Sequence, residues 1–331
     1  MPVTPSPAPR VTPTTRPKRA FRSLVRWVDS NAVEVRTDDP AAFDVEWSRV
    51  APLVVFHLVC LGVFLVGFSW IALAVCAVGY VVRMFAITAF YHRYFSHRSF
   101  KTSRVAQFVF AFLGNTAMQR DALWWAAHHR KHHKFSDTPK DSHSPVQRGF
   151  WWSHVLWFTT RGNYPTDFDQ IRDLARYPEL RFLNRCDLFA PVVMALAMYG
   201  LGAWLATAAP ELGTSGWQML IWGFFVSTVL LFHGTCSINS LAHMLGRRRF
   251  PTTDDSRNSL LLALITLGEG WHNNHHFYPV STRQGFFWWE IDLSYYGLRV
   301  LSWLGIVWDL KPVPDHVRRG HRVPPGRERA A

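Results

Sequence analysis

Two copies of the pattern His-x-x-His-His stand in this sequence, at His129, His132 and His133 and again at His272, His275 and His276. A 331-residue chain with sixteen histidines would contain roughly 0.04 copies by chance. Two further groups accompany them: His92 and His97 frame HRYFSH, and His243 ends the run Asn239-Ser240-Leu241-Ala242-His243. On a helix, positions i, i+3 and i+4 share a face, so each triplet is expected to direct three imidazoles one way. Nine imidazoles exceed what one ion can bind, and two metal ions are the natural reading. Neutral imidazole suits Fe, Cu, Zn and Ni, while zinc usually closes with four ligands, often including Cys. Cys60, Cys76, Cys186 and Cys236 are isolated, with no CxxC spacing, and read as apolar packing residues. The donor set therefore points to a redox metal, iron first. His143, His154, His316 and His321 read as solvated loop histidines. His57 and His233 fall inside apolar runs and read as neutral rings bonded to a neighbouring helix.

Four apolar runs must position these groups. Residues 50–82 are apolar throughout and, as one helix, would be about 50 Å long against a hydrocarbon core of about 30 Å. A break at Gly67-Phe68-Ser69 divides the run into spans at about 50–68 and 71–90, with Arg83 near enough to the end to snorkel toward the interface. Two more spans follow at about 187–208 and 217–237, joined by Pro210–Ser215. The stretches 104–118 and 259–267 are too short to cross and read as interfacial or cap-buried helices. The FWW runs at 150–152 and 287–289 suit the headgroup level.

Charge sorts by segment. Of 36 Lys and Arg, 8 lie in residues 1–50, 15 in 91–185 and 12 in 238–331, so the net charge of +13 is not a patch on a globule and nucleic acid is excluded as a partner. The connections between spans one and two and between three and four carry no basic residue. The positive-inside rule then places both termini and the 91–185 loop in the cytoplasm. Every histidine group falls on that side. The expected fold is an all-α membrane protein, four transmembrane helices in two hairpins under a cytosolic helical cap. The expected division is a disordered basic tail at 1–44, a membrane domain at 45–312 and a basic tail at 313–331.

HRYFSH, HHRKHHKFSD, NSLAHMLG and GEGWHNNHHFYP resemble the histidine boxes of the membrane fatty acid desaturases, in the acyl-CoA and acyl-lipid delta-9 (stearoyl-CoA desaturase-like) branch. The likeness covers about residues 45–312. It implies a di-iron centre with His92, His97, His129, His132, His133, His243, His272, His275 and His276 as ligands, and Asn239 reaching one metal through water. It implies no catalytic residue apart from these ligands. The implied reaction is O2-dependent: hydrogen leaves two neighbouring CH2 groups, giving a cis double bond, delta-9 in this branch, and water. Asp121, Asp137, Asp141 and Glu269 are candidates for anchoring the outer imidazole nitrogens. His128 stands where the animal acyl-CoA enzymes carry an acidic residue and is placed with them; the departure leaves the carrier open between CoA and lipid. Gln119, Arg120, Arg130 and Arg148 are candidates for holding the carrier of the acyl chain. No HPGG segment of the cytochrome b5 type is present, so the resemblance implies a separate electron donor, a ferredoxin, a cytochrome b5 or a reductase.

Two alternatives remain on the residues alone. A related di-iron hydroxylase acting on a fatty acyl or hydrocarbon chain would use similar boxes. A His-rich membrane metal transporter would need polar residues along its spans, where only His57, His233 and Arg83 stand.

Overall fold

The computed structural model describes residues 40–320 and 322; the N-terminal tail expectation falls almost wholly outside these, as does His321. Among the described residues the chain is mostly helical, and four helical stretches are long and apolar enough to cross a membrane: Trp47–Val66, Trp70–Ser96, Phe189–Ala208 and Gly216–His243. The first comprises α1 (Trp47–Cys60) and a short turn, Val63–Val66. It stops where Gly67 adopts φ 71°, a left-handed conformation that only glycine takes without strain. Ser69 then caps α2 (Trp70–Phe85) by accepting the Ala72 N–H. This helix runs on as a π-helical stretch, Ala86–Ser96, which carries His92 beyond the apolar span.

Ser103 caps α3 (Arg104–Asn115), and Asp121 caps α4 (Ala122–Phe135) by accepting the N–H groups of Leu123 and Trp124. The π-helical stretch packs between these two. Phe90 stacks on Phe110 at 3.6 Å, and the Tyr91 hydroxyl donates to the Ala111 carbonyl. The third span is α5 (Phe189–Ala208); the fourth begins at Gly216, passes through a π-helical stretch, Leu220–Val226, and continues as α6 (Ser227–Ser240). Then come α7 (Leu260–Ile265), α8 (His272–Phe277) and α9 (Leu293–Trp303). A two-residue strand pair, β1 (Lys101–Thr102) and β2 (Val307–Trp308), is antiparallel, with Lys101 opposite Trp308. It ties the segment after the second span to the segment after α9.

Three expectations need correction. Arg83 does not snorkel: it is 1% exposed and donates to the carbonyls of Gly79 and Thr116 and the hydroxyls of Thr228 and Ser227. Helix α6 presents hydroxyls at this depth, so turning inward satisfies the guanidinium better than reaching for the interface. The packed body also begins before 45 and runs past 312. Ala42 is buried and its carbonyl accepts the Gly162 N–H, while Val313 and Val317 pack with Phe250 and Phe286. Of the FWW runs, Trp151, Trp288 and Trp289 are exposed, but Trp152 is buried, its indole bonded to the Ser142 carbonyl.

The second hairpin closes tightly because Gly202 lets α5 approach the start of the fourth span. A Cβ there would lie 2.3 Å from the Ser215 carbonyl oxygen, which is backbone and cannot swing aside. Gly202→Leu is therefore expected to destabilise the protein by about 1–3 kcal/mol, read as a lower midpoint of thermal unfolding in detergent, with Gly200→Leu, whose Cβ meets nothing within 4 Å, as the harmless control.

Candidate metal centre

Elements distant in sequence meet at one end of the bundle. The π-helical stretch supplies His92, with His97 just after it; α4 supplies His129, His132 and His133; the end of the fourth span supplies His243; α8 supplies His272, His275 and His276. Their nitrogens gather into two groups, His92, His97, His129, His133 and His275 in one and His132, His243, His272 and His276 in the other. Within each group, one nitrogen per ring lies within 4.8 Å of all the others. The expectation that each triplet points one way is thus refined. In α4, positions i and i+4 join the first group and i+3 the second; in α8, i and i+4 join the second and i+3 the first. Each triplet straddles both groups, because i+3 is rotated away from the i, i+4 line.

Four of the outer nitrogens are anchored, while Nδ1 of His272 and of His275 is buried without a hydrogen-bond partner. Glu269 accepts from His92 Nδ1, Asp141 from His132 Nδ1 (2.9 Å), Asp137 from His243 Nδ1 (2.8 Å) and Asp254 from His276 Nδ1 (2.6 Å). A carboxylate can only accept, so each of these rings carries its proton on Nδ1 and turns the Nε2 lone pair inward. The inward nitrogens then crowd: Nε2 of His97 and His129 are 2.8 Å apart, His92 and His275 2.9 Å, His275 and His133 2.9 Å, and His243 and His272 3.0 Å. Nε2 of His276 is buried with no hydrogen-bond partner. Burial, and then the neighbouring histidines, push His97, His129, His133, His272 and His275 well below the ordinary imidazole value, so these rings are neutral. Neutral rings at this distance are held either by an N–H shared between them or by a cation between two lone pairs. A metal about 2.1 Å from two ligand nitrogens at a right angle sets them about 3.0 Å apart. The residues fit two metal ions.

The carboxylates are held ionised for this work. Burial alone would raise Asp137, but the hydrogen bond and charge of His243, the Ser144 hydroxyl and the Asp255 N–H hold it down to about 2. Burial likewise opposes ionisation of Asp254, Asp141 and Glu269, and their histidine partners, joined by Arg93 at Glu269, bring each below the ordinary carboxyl range. Arg93, 1% exposed, bridges Glu269 and Asp292. Gly268 makes room for that bridge, since a Cβ there would sit 2.4 Å from the Asp292 carboxylate.

Other candidates fall elsewhere. Asp121 caps α4 and holds Asn184 rather than a histidine. His128 is buried between Trp124 and Trp157, with no contact to a metal-facing ring. His143 and His154 are buried, not solvated: His143 stacks beside His132 and Trp157, and His154 bonds His233. His316 is exposed. The sequence reading missed Asp254 and Arg93. Asp254 had one signal, an acidic pair in an otherwise basic stretch between two histidine groups; Arg93 looked like surface charge.

A cavity of about 440 Å3, within the ~300–1,000 Å3 range of ligand sites, runs from the start of α1 to the first histidine group. Arg49, Arg120 and Arg161 stand at one part of it around Tyr164, with Arg49 3.6 Å and Arg120 3.9 Å from the ring centre. Phe56, Trp125 and Phe232 line its apolar length. Trp125, His129, Thr235 and Asn239 also line a smaller cavity that reaches His92, His132 and His272. Gln119 donates to Thr235 across this junction. Of the carrier candidates, Gln119 and Arg120 line the cavity. Arg130 does not; it clamps the carbonyls of Phe95 and Ser96 to Asp173, which needs the guanidinium for structure. Arg148 is exposed and lies over Trp152, away from the lining.

The family model described as fatty acid desaturase matches residues 68–304. The chain is 36% identical over 288 residues to a delta-9 acyl-lipid desaturase of Arabidopsis thaliana, covering 84% of this chain and 89% of that one. It is 35% identical over 304 residues to an sn-1 stearoyl-lipid 9-desaturase of Synechocystis sp., covering 90% of each. It is 37% identical over 287 residues to an acyl-CoA 5-desaturase of Anemone leveillei, covering 83% and 85%.

Removing an anchor should loosen one metal group and spare the other. Asp254→Asn is expected to weaken metal retention in the His276 group by roughly 10- to 100-fold, seen as loss of about half the bound metal on dialysis against a chelator. Asp121→Asn, at a carboxylate that touches no histidine, should leave metal content at the wild-type level.

Proposed function

The chain belongs to the membrane fatty acid desaturase family and is an acyl desaturase, and on that premise we propose that it uses O2 and two iron ions to place a cis double bond, at the delta-9 position, in a long-chain acyl group. The observation that carries the di-iron reading is the pair of inward-facing histidine groups, each with a carboxylate-anchored ring. His92, His97, His129, His133 and His275 would hold one iron; His132, His243, His272 and His276 the other, with Asn239 reaching it through water. When bound, the irons supply with O2 the oxidising power to take hydrogen from an unactivated CH2.

The protein's own contribution is placement. Phe56, Trp125 and Phe232 give the acyl chain an apolar path that displaces water. Gln119, bonded to Thr235, lies in the same lining as His129 and would help set which C–C unit lies nearest the metals. Arg49, Arg120 and Arg161 suit a phosphate-bearing carrier, of an acyl lipid or acyl-CoA. The distribution of Lys and Arg supports a cytoplasmic position for the metal end. Electrons arrive from a separate donor, a ferredoxin, a cytochrome b5 or a reductase, whose acidic face complements the basic cap.

Expression in a host of known fatty acid composition, with double bonds located by mass spectrometry, tests this. A new monounsaturated acid that disappears in His132→Ala and His275→Ala is expected; a hydroxylated acid would make the chain a hydroxylase instead. Arg161→Ala should raise KM for the acyl substrate several-fold and leave kcat nearly unchanged, because it removes binding common to ground and transition states.

A further inference from the structure

Four tryptophans are buried among the described residues: Trp124, Trp152, Trp157 and Trp271. Three of them donate the indole N–H to a backbone carbonyl, Trp124 to Asn163 at 3.0 Å, Trp152 to Ser142 at 3.0 Å and Trp271 to Ile291 at 2.8 Å. Trp157, 6% exposed, donates to nothing in the protein. A buried indole N–H normally finds an acceptor, because without one it loses its hydration and gains nothing in return. His128, 8% exposed, shares this condition. Neither of its ring nitrogens has a hydrogen-bond partner, and the carbonyls of Asn163 and Pro165 act on it only outside hydrogen-bond geometry. The centres of the two rings are 5.4 Å apart, and both side chains line the large cavity.

Their place along the cavity says which acceptor they meet. Arg49 and Arg120 flank Tyr164, and Arg120 lies 5.5 Å from the Trp124 ring. Trp124, His128 and His132 follow one another at four-residue spacing, so they share one line along α4. The Trp124 ring is 4.4 Å from His128 and stacks on Trp157 at 5.5 Å. From Trp157 the wall continues to His143 at 4.9 Å, and from His143 to His132 of the second metal group at 4.4 Å. The lining thus passes from guanidinium, through two unpartnered N–H donors, to the metal ligands. An acyl substrate of the kind proposed above presents its groups in the same sequence: phosphate, then one ester or thioester carbonyl, then methylenes that accept nothing. The carbonyl oxygen is the acceptor left for the middle of the wall. An indole always has one N–H and an imidazole at least one, whatever its protonation, so an oxygen with two lone pairs can accept from both rings.

We propose that the Trp157 indole N–H and the His128 ring hold the carbonyl oxygen of the acyl ester or thioester, and that this contact sets which C–C unit reaches the metals. Fixing the carbonyl fixes the number of methylenes between it and the metal groups. The double bond is then counted from the carboxyl end and does not move with chain length. The bond position rests on the desaturation reading; the carbonyl contact does not.

Isotope-edited infrared spectroscopy reads the contact without turnover. Purified protein is saturated with stearoyl lysophosphatidylcholine or, separately, stearoyl-CoA, each labelled with 13C at the acyl carbonyl. The labelled carbonyl band should fall to lower frequency on binding to the wild type and return toward the free-probe value in Trp157→Phe and in His128→Leu. The probe that shows the shift identifies the linkage as ester or thioester. No shift with either probe, or a shift that both variants retain, would overturn the proposal. In turnover, palmitoyl and stearoyl substrates should give the wild type one bond position counted from the carbonyl. Trp157→Phe should raise KM several-fold and spread the product over neighbouring positions. A variant that is merely slower or less stable, with the single position kept, would give Trp157 a structural role and refute the account. A wild type that shifts the carbonyl band yet forms no unsaturated product would count against the desaturation reading alone and leave the carbonyl contact in place.

Discussion

Nine imidazoles gather in one buried site, and four of them are held by carboxylates on their outer nitrogens. Four buried carboxylates hold a proton on the outer nitrogen of His92, His132, His243 and His276 and so force each inner lone pair into the site. The inner nitrogens stand 2.8–3.0 Å apart, a distance that suits two ligands of a shared cation. The histidines and the carboxylates that hold them are therefore parts of one balance. The carboxylates stay ionised through their histidines and Arg93, and burial keeps His97, His129, His133, His272 and His275 neutral.

The rest of the fold answers to that constraint. Two of the four spans extend past the apolar core, as the π-helical stretch Ala86–Ser96 and as the turn to His243, and deliver ligands from below. Helices α4 and α8 bring triplets from above, and their 3.6-residue period divides each triplet between the two groups. This division is what couples the groups: neither α4 nor α8 can shift without disturbing both. Arg93 and Asp292 lock the second span to the segment before α9, and Arg130 clamps the same stretch to Asp173.

Much of this was legible in the residues. The four apolar runs, the clustering of the histidine groups at one end and the family followed from spacing and hydropathy, because those patterns are imposed by helix period and bilayer thickness. The division of the triplets was not legible, since i, i+3 and i+4 share a face at the resolution of sequence and separate only when two centres flank the helix. Buried charge was the other blind spot. Arg83, Arg93, His143 and His154 look like any basic loop or interface residue until the partners across the fold are known, and Asp292 lies 199 positions from Arg93 and His233 79 positions from His154. Asp254 and Asp121 show the same limit from the acidic side: both were visible as carboxylates, and only packing decides which one meets a histidine.

Anomalous X-ray scattering at the iron edge, on crystals of the iron-loaded protein, tests the central claim most directly. The account predicts two anomalous peaks, one among His92, His97, His129, His133 and His275 and one among His132, His243, His272 and His276. A single peak, or one lying outside both groups, would contradict it.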